Sequence, residues 1–331
     1  MSHAHPRSID VARSADLIIR RLLDVKPGEQ VALVCDPHTE MSMAYALAGV
    51  VESVGGEYTI LVMPTRGTDR KNELTPPIER ALEAADCLIG LTGSCGAPTY
   101  AKAVKHLFEQ KRLRAISMVM RSLDNFTEGG ARADYDVLYA DGERLAGVWR
   151  TAERIRVTTP AGTDITAPIA GEEVFIECGF ATEPGQEAAF PDGEVSQMPR
   201  KGTAEGVIVV DGPIAHVGVP DEPITLRVTA GRVTSVEGSS PQAVELRRII
   251  EQVPDADNIA EIGIGLNPAC RRNGDFEEEK KARGLVHIAI GDNVFYGGAV
   301  ECAVHMDMVQ YAPTITLDDR VVVEAGDVRL G

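Results

Sequence analysis

Short apolar runs alternate with amphipathic stretches through the first part of the chain. The apolar runs cover residues 30–35, 58–63, 86–91 and 114–120, and the helix-like stretches between them cover 41–54, 76–85 and 100–109. Apolar runs of this length, bounded by Gly, Pro and Asp, are typical of buried strands, and the stretches between them have helical spacing. The pattern predicts βαβ units and a parallel sheet.

The pattern changes near residue 150. Residues 154–168 alternate polar and apolar positions around a Pro-Ala-Gly turn, which predicts a β-hairpin. Further strand-like runs follow at 206–210, 224–228, 233–236, 259–266, 285–290, 300–308 and 320–324, with one helix at 242–253. The expected fold is therefore an α/β half followed by a strand-rich α+β half with mostly antiparallel strands.

Composition and charge narrow the class of protein. Of the 331 residues 44% are hydrophobic, and 50 acidic against 33 basic side chains give a net charge of −17. Such a negative surface repels phosphate backbones and anionic lipids, so neither nucleic acid nor a membrane is an expected partner. The six cysteines include no Cys-x-x-Cys pair, which favours free thiols in a reducing, cytoplasmic environment.

The most informative stretch is Val304-His305-Met306-Asp307-Met308. Alternate residues of a β-strand project from the same face, so His305 and Asp307 are expected to point together. An imidazole and a carboxylate that converge on one face suit a divalent transition metal. The alternative is an ordinary His–Asp pair on a solvated face.

Three further residues fit the same kind of site. His287 stands in an otherwise apolar run, and its distance along the sequence from His305 suits two strands joined by a loop. Glu261 precedes another apolar run, where an unpaired carboxylate is costly. Glu194 is less distinctive, because a surface loop is the default place for one acid among fifty. With His305 and Asp307 these residues supply three carboxylates and two imidazoles, enough for two divalent ions if one carboxylate bridges them.

Several motifs of this half follow one another in a fixed order: Pro-Asp-Gly-Glu194-Val, Ala-Glu261-Ile-Gly-x-Gly-Leu-Asn-Pro, His287-Ile-Ala-Ile-Gly-Asp-Asn and His305-Met-Asp307-Met. In this order they resemble the aminopeptidase T/aminopeptidase S family of dinuclear metallopeptidases, closely over residues 150–331 and loosely before. The resemblance implies a Rossmann-like N-terminal domain (1–150), a C-terminal catalytic domain (151–331) and a homodimer. It also implies two divalent ions (Zn, Co or Mn) held by the five residues just named.

The resemblance implies catalytic roles as well. Glu194 would bridge the ions or act as the general base. The family carries a catalytic tyrosine seven positions after its first histidine, and that position is Val294 here. Tyr296, two positions further on, is the candidate replacement.

Three residues are candidates for substrate binding. The resemblance places Asp292 and Asn293 near the metals, although the two residues after Gly291 are also typical of a turn. Arg271 follows Cys270 in an Arg-Arg pair and could bind a substrate carboxylate with two hydrogen bonds. A solvated charge pair is the alternative for Arg271.

The chain also resembles a sister group typified by 2,5-dihydroxypyridine 5,6-dioxygenase, in its length and in its Glu183-Pro184-Gly185, Gly297-Gly298 and Leu-Asp-Asp segments. That resemblance implies one Fe(II) ion held by two histidines and an aspartate. His305 and Asp307 match two of these ligands, but the other histidine aligns with Glu261.

Charge separates the two hypotheses. Two ions neutralise three carboxylates better than one ion does, which favours a dinuclear metal-dependent hydrolase that cleaves a peptide or small amide bond with a metal-activated water. The alternative is a mononuclear Fe(II) dioxygenase that opens a hydroxylated nitrogen heterocycle, and a non-catalytic binding protein of the same fold is a third hypothesis. The expected partner is a small molecule or a short peptide.

Overall fold

The structure, a computed structural model, describes residues 7–66, 72–93, 96–119 and 122–330. Its helices are α1 (Arg7–Leu17), α2 (Met41–Ser53), α3 (Pro76–Leu82), α4 (Lys102–Glu109), α5 (Leu123–Thr127), α6 (Tyr135–Trp149), α7 (Pro241–Gln252) and α8 (Phe276–Glu279). Its strands are β1 (Gln30–Cys35), β2 (Glu57–Val62), β3 (Cys87–Leu91), β4 (Arg114–Ser117), β5 (Arg154–Thr158), β6 (Asp164–Pro168), β7 (Phe175–Glu177), β8 (Glu187–Ala189), β9 (Glu194–Gln197), β10 (Glu205–Val210), β11 (Ile224–Thr229), β12 (Arg232–Glu237), β13 (Ile259–Gly265), β14 (Val286–Gly291), β15 (His305–Gln310), β16 (Thr314–Leu317), β17 (Arg320–Glu324) and β18 (Asp327–Val328).

The chain folds into two compact units. The first contains the described residues up to Arg132 together with Gly179–Asp192, and the second contains Ala133–Cys178 and the residues from Gly193 onward. The sequence predicts a single boundary at residue 150, whereas α6 belongs to the second unit. This helix packs closely on β7, because a methyl group added at Gly142 would stand 2.8 Å from the side chain of Ile176.

The first unit is built on a parallel sheet of strand order β2-β1-β3-β4-β8. The parallel sheet expected from the alternating pattern is confirmed, and the four apolar runs correspond to β1–β4. The fifth strand, β8, comes from far along the chain and has only three residues, Glu-Ala-Ala. That segment has no apolar run, so the sequence pattern does not reveal it. The Rossmann-like character of this unit stays a prediction.

Glu187 makes the stability of the first unit depend on pH. Burial raises the pKa of its carboxyl to about 7, against the opposing charge of Lys105 and with the support of Asp192. A carboxyl whose pKa is higher in the folded state than in the unfolded state stabilises the protein at pH values below the unfolded-state pKa. This stabilisation is lost as the pH rises towards the folded-state pKa of about 7.

We therefore expect Glu187→Gln to stabilise the protein at pH 8 by roughly 1–3 kcal/mol, because the amide carries no charge to bury. At pH 4 the two proteins should unfold alike, since the carboxyl is then neutral in both states. Urea unfolding at both pH values measures the difference. An equal gain at pH 4 and pH 8 would show that ionisation of Glu187 is not its cause.

The second unit contains two antiparallel sheets. One has the strand order β12-β11-β10-β6-β5-β16-β17-β18, and the other has the order β15-β14-β13-β9-β7. The expected hairpin is confirmed as β5 and β6, which pair antiparallel from Arg154 opposite Pro168 to Thr158 opposite Asp164. The strand-rich second half is therefore as the pattern predicts, and its five-stranded sheet carries the candidate site.

Two expectations about the chain as a whole can be compared with the described residues. Among them, no helix has the length and apolarity that crossing a bilayer would require. Five cysteines in the described ranges form no disulfide bond, namely Cys35, Cys87, Cys178, Cys270 and Cys302. Cys95 lies outside the described residues.

Candidate metal centre

Four adjacent strands of the five-stranded sheet bring the predicted metal ligands together. These predicted ligands are Glu194 at the start of β9, Glu261 in β13, His287 in β14, and His305 and Asp307 in β15. In the pairing register Ala289 stands opposite both Glu261 and Asp307. Residues directly opposite one another share a face of the sheet, so the small Ala289 separates two carboxylates in one row.

Glu261, His305 and Asp307 form what we call the outer group. The Nε2 atom of His305 lies 3.0 Å from Oε2 of Glu261 and 2.9 Å from Oδ1 of Asp307. Potential ligand atoms of the three residues all lie within 4.8 Å of one another. The side chain of His305 is 31% exposed, so this group can be reached from solvent. The expectation that His305 and Asp307 point together is confirmed.

Glu194, Glu261 and His287 form the inner group, which shares Glu261 with the outer one. The Nε2 atom of His287 lies 3.2 Å from Oε1 of Glu261 and 3.5 Å from Oε2 of Glu194. All three side chains are buried. The default placement of Glu194 in a surface loop is therefore wrong, because the pairing of β9 with β13 places this carboxylate in the interior.

Two lysines complete the centre, and the sequence patterns did not reveal either. The Nζ atom of Lys281 donates to Oε1 of Glu194 at 2.5 Å, and the Nζ atom of Lys280 donates to Oδ2 of Asp307 at 2.9 Å. The charged run from Glu277 to Lys281 is typical of a solvated helix, but Glu278, Glu279 and Lys281 are buried. The sequence does contain a signal for these lysines. Buried carboxylates need cations nearby, and the two lysines at the end of this run come a few residues before the strand of His287.

The charges of the centre compensate one another. Burial acts to lower the pKa of His287, but Glu194 and Glu261 outweigh it and raise the pKa to about 9. Burial acts in the opposite sense on Asp307, yet Lys280 and His305 hold the pKa of that carboxyl well below its usual value. Carboxylates are thus favoured in their charged form, which is the form that binds a metal ion.

The donor set fits a divalent metal ion. Each imidazole Nε2 faces oxygens of two different carboxylates, and one N–H cannot serve both. Oε2 of Glu194 and Oδ1 of Asp307 are buried and accept no hydrogen bond from the described residues. A cation among these atoms would satisfy them, and imidazole nitrogen with carboxylate oxygen suits iron, manganese or zinc.

Tyr296, the candidate replacement for the family's tyrosine, lies beside the outer group, and its catalytic role stays a prediction. Its ring centroid stands 5.9 Å from that of His305. Phe175 and Phe295 pack on it, with centroids at 5.2 and 5.1 Å. Burial and the neighbouring carboxylates, with Glu177 foremost, raise the pKa of Tyr296 well above its usual value. The phenol therefore stays protonated and can only donate or accept a hydrogen bond.

Asp292 and Asn293 hold a turn next to the metal centre. The carboxylate of Asp292 accepts from the backbone N–H of Val294 and of Cys302, and Oδ1 of Asn293 accepts from that of Val300. The backbone oxygen of Asp292 also accepts a hydrogen bond from Nδ1 of His305 at 2.7 Å. These contacts support His305, while a contact of either side chain with substrate stays a prediction.

Arg271 has its two-point carboxylate partner within the protein. Its Nε and Nη2 atoms donate to the carboxylate of Glu278, at 3.0 Å and 2.9 Å respectively. Arg271 itself is 37% exposed while Glu278 is buried, so the alternative of a solvated charge pair for Arg271 stays a prediction. Its binding of a substrate carboxylate stays a prediction.

Comparison with known proteins decides the family. Residues 19–330 match the family described as 2,5-dihydroxypyridine 5,6-dioxygenase (NicX). The chain belongs to this dioxygenase family. Over 195 residues it is 30% identical to 2,5-dihydroxypyridine 5,6-dioxygenase of Pseudomonas putida KT2440, which is 54% of this chain and 55% of that protein. The match thus spans about half the length of this curated relative.

Two solved structures share the fold. The structure of 2,5-dihydroxypyridine dioxygenase from Pseudomonas putida KT2440 superposes with a TM-score of 0.81 at 21% identity, over 97% of both chains. Wild-type AmpT from Thermus thermophilus superposes with a TM-score of 0.70 at 16% identity, over 97% of this chain and 99% of that one. At such identities the likeness concerns the fold.

The expected function therefore needs correction. The metal-dependent hydrolase of the aminopeptidase type is wrong, because the family match over residues 19–330 is to the dioxygenases. The resemblance to aminopeptidase T reflects a fold that the two groups share. The alternative, a dioxygenase, is the better supported interpretation.

Proposed function

We propose that this protein is a metal-dependent dioxygenase that opens the ring of a hydroxylated nitrogen heterocycle. The observation that carries the proposal is the outer group, in which Glu261, His305 and Asp307 converge at a solvent-accessible place of a chain belonging to the dioxygenase family. In the proposed reaction both atoms of dioxygen enter the product as one ring C–C bond breaks. No further reductant is then required.

The outer group would hold the metal ion, which we propose to be iron. A ferrous ion in such a nitrogen and carboxylate environment supplies the electron transfer that lets dioxygen react with an electron-rich ring. The chain's own residues fix the ligand atoms. Because a carbonyl oxygen can only accept, Nδ1 of His305 donates to the backbone oxygen of Asp292. In the neutral imidazole Nε2 then carries no proton and can bind a metal ion. Lys280 holds the other oxygen of Asp307.

This ligand set departs from the two histidines and one aspartate that the resemblance implies. Glu261 takes the place of one histidine, and His287 stands behind it at 3.2 Å. The carboxylate adds negative charge to the centre, which stabilises a bound cation. We infer that the substrate is a ring that carries an oxygen atom, and that this oxygen can approach the bound cation.

The aromatic residues beside His305 suit a planar substrate. Phe175, Phe295 and Tyr296 pack edge to face or tilted against one another, and Phe295 is 37% exposed. Aromatic faces bind flat rings and exclude water from them. The protonated phenol of Tyr296 would donate a hydrogen bond to an oxygen of the substrate.

Tyr296→Phe is expected to lower turnover about 10- to 100-fold, the cost of one hydrogen bond to a charged or developing-charge group. The iron content should stay that of the parent, because no ligand is removed. Steady-state kinetics with metal analysis of the same samples check this. Loss of iron together with activity would contradict the role and make Tyr296 a support of the centre.

The proposed function is tested by oxygen uptake. Full-length protein loaded with Fe(II) under argon would be mixed with 2,5-dihydroxypyridine, related hydroxypyridines and, as a control ring without nitrogen, catechol. We expect one dioxygen consumed per heterocycle, with loss of the aromatic absorption band. Absence of uptake with every heterocycle, by protein that retains its iron, would refute the proposal. The homodimer and the cytoplasmic location also stay predictions.

A further inference from the structure

The short helix α8 is followed directly by Lys280, which contacts Asp307 of the outer group. We propose that Arg271 is a positioning residue for this contact. Through its ion pair with Glu278 it fixes α8, and α8 in turn holds Lys280 against Asp307. This inference rests on the proposed function, because Asp307 is a metal ligand there. Its test measures metal affinity, which is independent of turnover.

The first observation is that Arg271 holds Glu278 with three donor groups. Its Nε and Nη2 atoms lie 3.0 Å and 2.9 Å from the Glu278 carboxylate, and its backbone N–H donates to Oε1 at 2.7 Å. The Glu278 side chain is only 1% exposed. Burying a charge costs hydration, so a buried ion pair adds little net stability. A planar guanidinium that binds both oxygens does, however, fix the direction of the carboxylate.

The second observation is that the next residue, Glu279, ties α8 to the strand of the metal ligands. Its buried carboxylate accepts hydrogen bonds from the Tyr311 hydroxyl, at 2.6 Å, and from the backbone N–H of Gly274. Tyr311 directly follows β15, the strand that carries Asp307. Two consecutive glutamates thus anchor the same helical turn, one to Arg271 and one to the end of β15.

The third observation is the contact that this turn supports. The Nζ atom of Lys280 lies 2.9 Å from Oδ2 of Asp307. It also lies 5.3 Å from the centre of the ring of Phe276, the first residue of α8. A lysine ammonium stands on a flexible stem, so its place depends on where the backbone is held. The backbone N–H of Lys280 donates to the carbonyl of Phe276, and the backbone of Lys280 therefore follows the position of α8.

Lys280 in turn sets the direction of the Asp307 carboxylate. While its ammonium holds Oδ2, Oδ1 faces Nε2 of His305 at 2.9 Å. Removal of a partner that orients a metal-binding carboxylate typically weakens metal binding 10- to 100-fold. Arg271 acts one step further out, since it reaches Asp307 only through Glu278, α8 and Lys280.

The test is the Mn²⁺ affinity of the full-length protein, measured by calorimetry, together with its electron paramagnetic resonance spectrum. Arg271→Lys keeps the positive charge but cannot hold both oxygens of Glu278, and we expect it to bind Mn²⁺ about 10-fold more weakly. Its zero-field splitting should also change, because a displaced Asp307 alters the geometry of the ligands. Arg272→Met is the matched control. It removes the charge of the neighbouring, exposed arginine and should match the parent in both measurements.

The double variant Arg271→Met/Glu278→Met separates positioning from fold stability. It removes both charges together, so that no unpaired carboxylate is left buried and the fold is retained. We expect it to bind Mn²⁺ about 10- to 100-fold more weakly than the parent, because apolar contacts do not fix the direction of α8 as the ion pair does. Parental Mn²⁺ affinity in this variant, or in Arg271→Lys, would overturn the inference.

A double-mutant cycle tests whether Arg271 acts through Lys280. Lys280→Met alone should weaken Mn²⁺ binding about 10- to 100-fold, because Asp307 loses its support. Adding Arg271→Lys to Lys280→Met should cause little further loss, since the lysine that Arg271 positions is then absent. Residues that act independently have additive effects on free energy, so additive losses would overturn the inference.

Two outcomes distinguish this inference from the other roles of the site. A raised KM with parental Mn²⁺ affinity in Arg271→Lys would assign Arg271 to substrate binding and overturn the inference. Wild type that binds metal but consumes no oxygen, with Arg271→Lys binding metal more weakly, would refute only the proposed function.

Discussion

Glu261→Gln is expected to abolish the binding of metal and, with it, oxygen uptake. Glu261 is buried in β13 and faces both histidines, with Oε1 at 3.2 Å from His287 and Oε2 at 3.0 Å from His305. An amide has one oxygen in place of two and places an NH₂ group against one imidazole nitrogen. We expect metal affinity to fall by more than about 100-fold, the upper end of the cost of losing a supporting contact.

Metal titration by calorimetry and the oxygen electrode measure the two effects of Glu261→Gln. Glu251→Gln is a suitable control, because Glu251 is an exposed glutamate of α7 in the same unit. That control should bind metal and consume oxygen like the parent. Parental metal affinity in Glu261→Gln would show that the carboxylate shared by the two groups is not a ligand.

Gly263→Ala should disrupt the centre without altering any charged residue. Gly263 stands opposite His287 in the pairing of β13 and β14. A methyl group at this position would lie 2.2 Å from Cε1 and 2.3 Å from Nε2 of the His287 ring. The ring must then move away, and Glu261 loses its contact. Overpacking of this kind costs about 1–3 kcal/mol of the free energy of unfolding.

Gly263→Ala should also bind metal about 10- to 100-fold more weakly than the parent, because Glu261 loses the contact with His287 that orients it. Gly147→Ala is the matched control, because, apart from the backbone of α6 itself, no described part of the chain lies within 4 Å of the added methyl group. Its expected effect is a gain of up to about 1 kcal/mol from helix propensity. Urea unfolding and calorimetry separate the two variants, and equal behaviour would contradict the close approach of the ring to Gly263.

Local periodicity accounts for most of the fold that the sequence could predict. The four apolar runs of the first unit and the hairpin of β5 and β6 follow from patterns within a few residues. Strand β8 does not, and neither does the place of α6 in the second unit, although its buried positions Tyr135, Leu138, Leu145 and Trp149 have helical spacing. The three residues of β8 have no pattern of their own and gain their place by pairing with β4. Such pairings between distant segments are invisible to a local pattern.

The same division holds within the centre. His305 and Asp307 are two residues apart on one strand, so the period of a strand already places them together. Glu194 reaches them through the pairing of β9 with β13, and Lys281 through contacts across 87 positions of sequence. The expectation of two ions counted the carboxylates of the centre and omitted its lysines. The number of ions therefore stays a prediction.

The division of the first unit between two stretches of sequence bears on how the protein is made. During translation β1–β4 leave the ribosome well before β8. Until β8 has been made, β4 is therefore an unpaired edge strand of the parallel sheet. Such an edge can pair with other chains. A fragment ending at residue 150 would keep that edge permanently, because Glu187–Ala189 is missing from it. The N-terminal half is accordingly a poor candidate for separate expression.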